Sequence, residues 1–126
     1  MILVQKAAIK KEDKYLILLR CPENNTFPLY WDFPGGKLKK NENPIDGIKR
    51  EVREETNLEI EPLGIEGIYE MAVNDSDCRF TIYSTQPSSG DVKLSSEHVA
   101  CRWADKNEIL SLKVEPYLIM YFNDHK

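Results

Sequence analysis

The sequence has few features of a secreted, membrane-spanning or disulfide-stabilised protein. Its three cysteines, Cys21, Cys78 and Cys101, are widely spaced and form no Cys-x-x-Cys pair. Such cysteines indicate buried or half-buried free thiols in a reducing compartment rather than a disulfide framework. The opening apolar run is too short for a signal peptide, and no later run has the roughly 20 apolar residues of a membrane span. We therefore expect a soluble, cytoplasmic protein with no membrane partner.

Basic residues are also scarce. The chain has 17 Lys and Arg against 21 Asp and Glu, which gives a formal net charge of −4. This balance argues against binding to a nucleic acid polymer, which usually requires a basic face. It does not argue against a small phosphorylated ligand whose charge is carried by metal ions. The length of 126 residues, with 41% hydrophobic and 30% charged residues, predicts a single globular domain over residues 1–126.

The first third of the chain is rich in strand and loop signals. Two apolar runs, residues 3–10 and 14–20, flank a short polar stretch and predict a β-hairpin. The second run is nearly all apolar, so we expect it to be buried on both faces. Residues 21–36 contain three prolines, two asparagines and two glycines, which predict a long loop. Its several aromatic residues favour a functional loop over a simple linker.

A helix is predicted over residues 44–56. Asn43 is a good N-cap, Pro44 suits the first helical position, and Asn57 can end the helix in the left-handed conformation. The predicted buried stripe consists of Ile45, Ile48 and Val52.

The second half of the chain alternates strand-like runs with turns and two short helices. The strands are predicted at residues 63–73, 78–86 and 100–104, with turns at residues 75–77 and 87–90. Asp105 and Glu108 predict a capped short helix, and a final helix is expected from about Pro116 to Phe122. Strands interrupted by two or three helices predict an α/β or α+β sandwich.

The segment REVREE carries three carboxylates on the predicted helix. At 100° per residue, Glu51, Glu54 and Glu55 fall within about a 100° arc, away from the apolar stripe. Converging carboxylates suit a hard cation such as Mg²⁺ held together with substrate phosphate. The alternative is a solvated acidic face paired with nearby lysine and arginine. Gly47 inside the helix and Gly35-Gly36 before it favour the ligand site, because glycine permits close approach of another group.

These residues resemble the Nudix box, G-x5-E-x7-R-E-U-x-E-E-x-G-U, in which U is apolar. The matching positions are Gly36, Glu42, Arg50, Glu51, Val52, Glu54, Glu55 and Leu58. The one departure is Asn57 in place of the final glycine, and asparagine also tolerates positive φ. The flanking stretches WDFPGGK (31–37) and EHVACRW (97–103) are similar to those of the MutT-type branch.

The resemblance implies an α/β/α sandwich with a mixed β-sheet and a hydrolase that uses Mg²⁺ or Mn²⁺. The implied metal ligands are the three box glutamates and the backbone carbonyl of Gly36. Arg50 is expected to orient the cluster by pairing with a carboxylate, and Glu42 to join the loop to the helix. Either Glu51 or a carboxylate from another loop would act as the base.

Outside the box, Glu97 is the candidate for a further ligand or base because it lies in a loop between strand-like segments. His98 beside it is expected to be an ordinary surface or loop histidine. Lys37 and the backbone of Gly35 are candidates for contacts with phosphate. Candidate aromatic contacts to the substrate are Phe27, Tyr30, Trp31, Phe33 and Tyr117.

Within the family that this chain resembles, the range of possible substrates is narrowed mainly by sequence marks that the chain lacks. The marks of the ADP-ribose, dinucleoside polyphosphate and NADH hydrolases are absent downstream of the box, which leaves a nucleoside triphosphate or a similar small nucleotide. Val114 stands where MutT-type enzymes of oxidised guanine nucleotides carry an asparagine, so that specificity is not expected. The alternatives are a catalytically silent nucleotide- or protein-binding module and a hydrolase of a non-nucleotide diphosphate. The expected assembly is a monomer or homodimer.

Overall fold

The fold was obtained as a computed structural model that describes residues 1–86 and 90–125. The strands in this part of the chain are β1 (Ile2–Ala8), β2 (Lys10–Lys11), β3 (Lys14–Arg20), β4 (Trp31–Asp32), β5 (Gly35–Lys37), β6 (Pro62–Val73), β7 (Ser76–Thr85) and β8 (His98–Ala104). The helices are α1 (Pro44–Thr56), α2 (Lys106–Leu110) and α3 (Pro116–Asp124). None of the helices described is long and apolar enough to cross a membrane.

The strands form two sheets. In the first sheet the order is β5-β1-β7-β6, with β1 parallel to β7 and antiparallel to β5. In the second sheet β3 pairs with β8 along its length and with β2 and β4 near its two ends, all antiparallel. The fold is therefore an α+β sandwich with a mixed sheet, as predicted.

The predicted hairpin between residues 3–10 and 14–20 is wrong in its pairing. Only Lys10 and Lys11 pair with β3, whereas β1 lies in the first sheet between β5 and β7. Both edges of β1 are thus hydrogen-bonded to strands that are distant in sequence, which local patterns do not reveal. The expectation that β3 is buried on both faces is confirmed, since Leu16, Ile17 and Leu18 are 0% exposed.

Two hydrophobic clusters hold the helices against the sheets. Ile48 and Val52 of α1 pack with Ile9, Leu16 and Leu18 in one cluster. The other cluster joins α2 and α3 to the sheets; its aromatic side chains include Phe33, Phe80, Tyr117, Tyr121 and Phe122. Helix α1 is thereby fixed on a different core from α3.

Helix α1 has the predicted bounds and caps. The Asn43 side chain accepts hydrogen bonds from the backbone of Ile45 and Asp46, and Asn57 ends the helix at φ 67°. The predicted stripe is wrong at Ile45, which is 40% exposed, because the first helical turn projects beyond the core.

The later elements agree with prediction to within a few residues. The turn between β6 and β7 is formed by Asn74 and Asp75, and Ser76 already belongs to β7. The capping box of Asp105 and Glu108 is present. Most of the turn predicted at residues 87–90 lies outside the described residues. Cys21 and Cys78 are buried free thiols as expected, but Cys101 is exposed.

Candidate active site

A cavity of about 450 Å³ lies above the first sheet, beside the start of β5 and helix α1. One part of the lining, the carboxylate-rich end, consists of neighbouring residues: Gly35, Gly36, Glu51, Glu55 and Glu97. Apolar and amide side chains also line the cavity, among them Ile2, Val4, Asn24, Phe27, Asn74 and Phe80, and so do the charged side chains of Lys6, Arg20, Lys37 and Glu115. The cavity therefore combines a carboxylate-rich end with cationic, apolar and amide groups.

Arg50 joins the carboxylates of the loop and the helix. Its Nε and Nη2 donate to the two carboxylate oxygens of Glu42 at 2.7 and 3.0 Å, and its Nη1 donates to Glu51 at 3.0 Å and Glu54 at 3.1 Å. The hydrogen bonds from Arg50 and from the Lys39 N–H lower the pKa of Glu42 to about 2. The predicted roles of Arg50 and Glu42 in joining the loop to the helix agree with these contacts.

The Gly-Gly turn needs glycine because two groups approach it closely. Gly35 has φ +143°, and a Cβ there would overlap the carbonyl oxygen of Gln5 on β1. At Gly36 a Cβ would lie 2.6 Å from Oε2 of Glu51. The glycines thus let β5 pair with β1 while the α1 carboxylate packs directly against the β5 backbone.

The three box glutamates differ in environment. Glu51 and Glu55 line the cavity, with side chains 17% and 4% exposed respectively, whereas the Glu54 side chain is 56% exposed beside Arg50. The expectation that this face lies off the core is therefore wrong for Glu55. Burial raises the pKa of Glu55 to about 8, although Lys6 and a 2.8 Å hydrogen bond from the Gly35 N–H partly oppose the shift. Burial also raises the pKa of Glu51.

A buried polar network that the sequence reasoning missed borders the cavity, and its members Lys6, Arg20 and Glu115 line it. Lys6 Nζ is 2.8 Å from Asp32 Oδ2, the Tyr117 hydroxyl donates to Asp32, and Arg20 Nη1 lies 3.4 Å from the same carboxylate. Burial opposes ionisation of Asp32, but the Lys6 charge and the hydrogen bonds from Lys6 and Tyr117 outweigh it and lower the pKa of Asp32 to about 2. The neighbouring Glu115 is 4% exposed, and burial together with the Asp32 charge raises its pKa well above the ordinary value. The two neighbouring carboxyl groups are thus shifted in opposite directions.

Glu97 lines the carboxylate-rich end, and His98 lies close to Glu55 and Glu97 without being part of the cavity lining. Glu97 is exposed and lines the cavity, as predicted for a loop residue there. His98 was expected at the surface but is 5% exposed at the start of β8, because β8 pairs with the buried strand β3. Burial lowers the pKa of its imidazole to about 4, so the ring is neutral.

The predicted substrate contacts divide into two groups. Gly35, Lys37 and Phe27 line the cavity. Trp31, Phe33 and Tyr117 do not line it among the described residues. The Phe33 ring is 0% exposed and packs on Tyr121 and Phe122, and the Tyr117 ring is 0% exposed and stacks on Phe80 at 4.7 Å. The prediction that a base stacks on Phe33 or Tyr117 is therefore wrong, because both rings belong to the core.

The donor set at the carboxylate-rich end suits a divalent cation. Glu51 and Glu55 face the cavity beside the Gly36 backbone, and ligand atoms of Glu55, Glu97 and His98 lie within 4.8 Å of one another. The buried Glu55 carboxylate has a strongly disfavoured negative charge in the absence of a cation, and a bound cation relieves that cost. The residues present thus fit a metal ion.

The NUDIX domain profile matches residues 6–120, which is most of the chain. This chain belongs to the Nudix hydrolase family. A MutT-like protein of Streptomyces ambofaciens is 32% identical over 111 residues, which cover 88% of this chain and 68% of the relative. The solved structure of a MutT protein from Methanosarcina mazei superposes with a TM-score of 0.89 at 28% identity, covering 99% of this chain and 95% of the other. The membership is therefore in the MutT-type branch.

A shorter similarity covers about a quarter of the chain. An 8-oxo-dGTP diphosphatase of Buchnera aphidicola is 57% identical over 30 residues, which is 24% of this Nudix chain and 23% of the relative. A match over so small a share of each chain does not extend to the whole cavity. At the asparagine position discussed above, Val114 is 7% exposed and pairs with Trp31.

Proposed function

We propose that this Nudix protein is a metal-dependent pyrophosphohydrolase that cleaves a nucleoside triphosphate to the nucleoside monophosphate and pyrophosphate. The observation that carries the proposal is the mixed lining of the cavity. Glu51, Glu55 and Glu97 meet the Gly35-Gly36 backbone, and the same cavity offers apolar side chains and two amide side chains. A nucleotide uses both kinds of surface, one for its charged phosphate chain and one for its uncharged base.

At the phosphate end, each residue has a distinct role. Glu51, Glu54, Glu55 and the Gly36 carbonyl would hold Mg²⁺ or Mn²⁺, which when bound neutralises phosphate oxygens and activates a water. Arg50 positions Glu51 and Glu54 through its hydrogen bonds. Glu51 is the proposed proton acceptor for the attacking water, since burial raises its pKa toward the useful range. Glu97 is the alternative acceptor from another loop. Lys37 lines the same end and would contact a phosphate oxygen.

For the base, Phe27 is the remaining predicted aromatic candidate for stacking. Of the other lining residues, Val4 and Phe80 would supply apolar contacts, while Asn24 and Asn74 would supply amide donors and acceptors. The side chain at the asparagine position of oxidised-guanine enzymes is an apolar, buried Val114 that does not line the cavity. We therefore propose that oxidised guanine is not the preferred base.

The test is release of pyrophosphate from a panel of nucleoside triphosphates, with sugar and isoprenoid diphosphates included. The informative variant is Glu54→Gln, and its matched control is Glu59→Gln. Both glutamates are more than half exposed and pair with an arginine, at 3.1 Å for Glu54 and 2.7 Å for Glu59. We expect kcat to fall at least about 100-fold for Glu54→Gln and to stay unchanged for Glu59→Gln.

Three results would contradict the proposal. An equal loss of kcat in both variants would indicate that Glu54 has no special role in the site. Turnover confined to non-nucleotide diphosphates would indicate that the substrate is not a nucleotide. Micromolar nucleotide binding without turnover of any substrate would favour a binding module.

A further inference from the structure

His98 is a buried histidine whose ring nitrogens are both unsatisfied. The side chain is 5% exposed, and neither Nδ1 nor Nε2 has a hydrogen-bond partner among the residues that the structure describes. An unsatisfied buried polar atom is destabilising, so native structures rarely keep one without a ligand or an ordered water.

The ring lies next to two carboxylates from other parts of the chain. One ligand atom each from Glu55, Glu97 and His98 lies within 4.8 Å of the other two. An ion bound about 2.0–2.2 Å from each ligand atom spans up to about 4.4 Å between opposite ligands. Small rotations of the exposed Glu97 side chain therefore suffice to close the three groups around one ion.

The charges around the cluster also suit a cation. The buried Lys6 ammonium is the cation whose charge acts on the pKa of Glu55. Its amine, however, is already 2.8 Å from Asp32 and 3.4 Å from the Gly35 carbonyl. Arg20 is likewise engaged with Asp32 and with the Thr26 carbonyl. The Glu55 carboxylate accepts one hydrogen bond, from the Gly35 N–H. Glu55 and Glu97 thus retain free oxygen lone pairs facing the histidine.

We infer that His98 supplies a nitrogen ligand to a metal ion shared with Glu55 and Glu97, and that this mixed site selects a first-row transition ion over Mg²⁺. Mg²⁺ prefers oxygen ligands in regular octahedral geometry, whereas imidazole favours ions such as Co²⁺ and Zn²⁺. The inference deepens the proposed function, because Glu55 and Glu97 line the cavity on which that function rests. It rests on that function only for its effect on turnover.

The direct test uses the wild-type protein labelled with ¹⁵N-histidine. The chain has two histidines, His98 and His125, so the spectrum contains two imidazoles and His125→Gln assigns them. After chelation, Zn²⁺ and then Mg²⁺ are titrated separately. We expect Zn²⁺ to shift one ring nitrogen of His98 strongly at one equivalent, with His125 unchanged, and Mg²⁺ to leave both rings unchanged. An unshifted His98 ring under Zn²⁺ would overturn the inference and indicate that an ordered water satisfies the ring.

Variants give a second test through binding affinity. Calorimetric titration of Co²⁺ and Mg²⁺ compares the wild type, His98→Leu, His98→Gln and the control His125→Gln, each checked for folding by circular dichroism. We expect His98→Leu to weaken Co²⁺ binding at least tenfold and Mg²⁺ binding less than threefold, with His98→Gln intermediate for Co²⁺. Equal weakening for both ions, or none for Co²⁺, would contradict the nitrogen ligand.

The two proposals fail separately. Strong binding of Co²⁺ through His98 without pyrophosphate release from any nucleotide would refute the proposed function and leave the metal site. Nucleotide hydrolysis with Mg²⁺ and an unresponsive His98 would refute the metal site and leave the function.

Discussion

The buried pair of Lys6 and Asp32 should make Asp32→Asn strongly destabilising. Asp32 is 0% exposed and Lys6 is 4% exposed, and their charged atoms are 2.8 Å apart. Asparagine keeps the volume but leaves the Lys6 ammonium without its nearest counter-charge. Removing one partner of a buried pair typically costs about 3–5 kcal/mol. In a chain of this length, each kcal/mol of lost stability lowers the Tm by about 4 °C, so we expect the Tm of Asp32→Asn to fall by about 12–20 °C.

Thermal unfolding followed by circular dichroism measures the effect, with chelator present so that no metal contributes. Glu59→Gln is the surface control, since Arg53 and Glu59 are 55% and 59% exposed, and its Tm should stay within about 2 °C of wild type. A Tm for Asp32→Asn as close to wild type as that of the control would refute the buried ion pair.

A double-mutant cycle separates the pair from its surroundings. Lys6→Met alone removes the ammonium but leaves Asp32 with Arg20 and the Tyr117 hydroxyl. Lys6→Met combined with Asp32→Asn should be less destabilised than the sum of the single changes, by about 1–3 kcal/mol. Strict additivity would mean that the two side chains do not interact in solution.

Three further predictions concern the site and its floor. Gly36→Ala should lower kcat about 10–100-fold in the pyrophosphate assay, because the new Cβ would displace the Glu51 carboxylate 2.6 Å away; an unchanged kcat would contradict this packing. Arg50→Lys should lower kcat about tenfold or more with little effect on KM, because lysine lacks the fork that reaches Glu42 and Glu51 together; full activity would contradict its positioning role. Glu115→Gln should flatten the decline of stability with rising pH in urea titrations from pH 5 to 8. Burial and Asp32 raise the folded-state pKa of Glu115, so the stability it contributes is fully present below its unfolded-state pKa and is lost as pH rises. An identical pH slope for both proteins would refute the raised pKa of Glu115.

The predictions from sequence were strongest where the determinants are local. Helix α1 and its caps follow from Asn43, Pro44 and Asn57, each of which acts on backbone groups within a few positions. The pairing of Arg50 with Glu42 likewise lies within one loop and one helix. Such features can be read from spacing alone.

The errors concern partners that are distant in sequence. Residues 3–10 resemble half of a hairpin, but β1 instead pairs with β7, whose residues follow it by more than 70 positions. His98 looked like a surface residue because its burial depends on β8 pairing with β3. The aromatic residues Phe33 and Tyr117 carry no local mark that distinguishes a core position from a ligand contact.

One signal of the buried network was present in the sequence. Lys6 interrupts the apolar run of β1, and Asp32 lies between aromatic residues in WDF. An isolated charge at a position that the strand period assigns to the interior requires a counter-charge, and these two residues carry opposite signs. Their proximity, however, depends on β4 joining β3 in the second sheet.

Four of the residues that line the cavity belong to two loop segments, whereas Gly35, Gly36, Glu51 and Glu55 belong to β5 and helix α1. Asn24, Thr26 and Phe27 lie in the loop before β4, and Asn74 of the β6–β7 turn donates to the Thr26 hydroxyl at 3.1 Å. These two segments contribute no residue to the β1–β5 pairing or to helix α1. During evolution, or in a library randomised at the two segments, this chain can therefore acquire a different substrate preference while it keeps the same hydrolytic machinery.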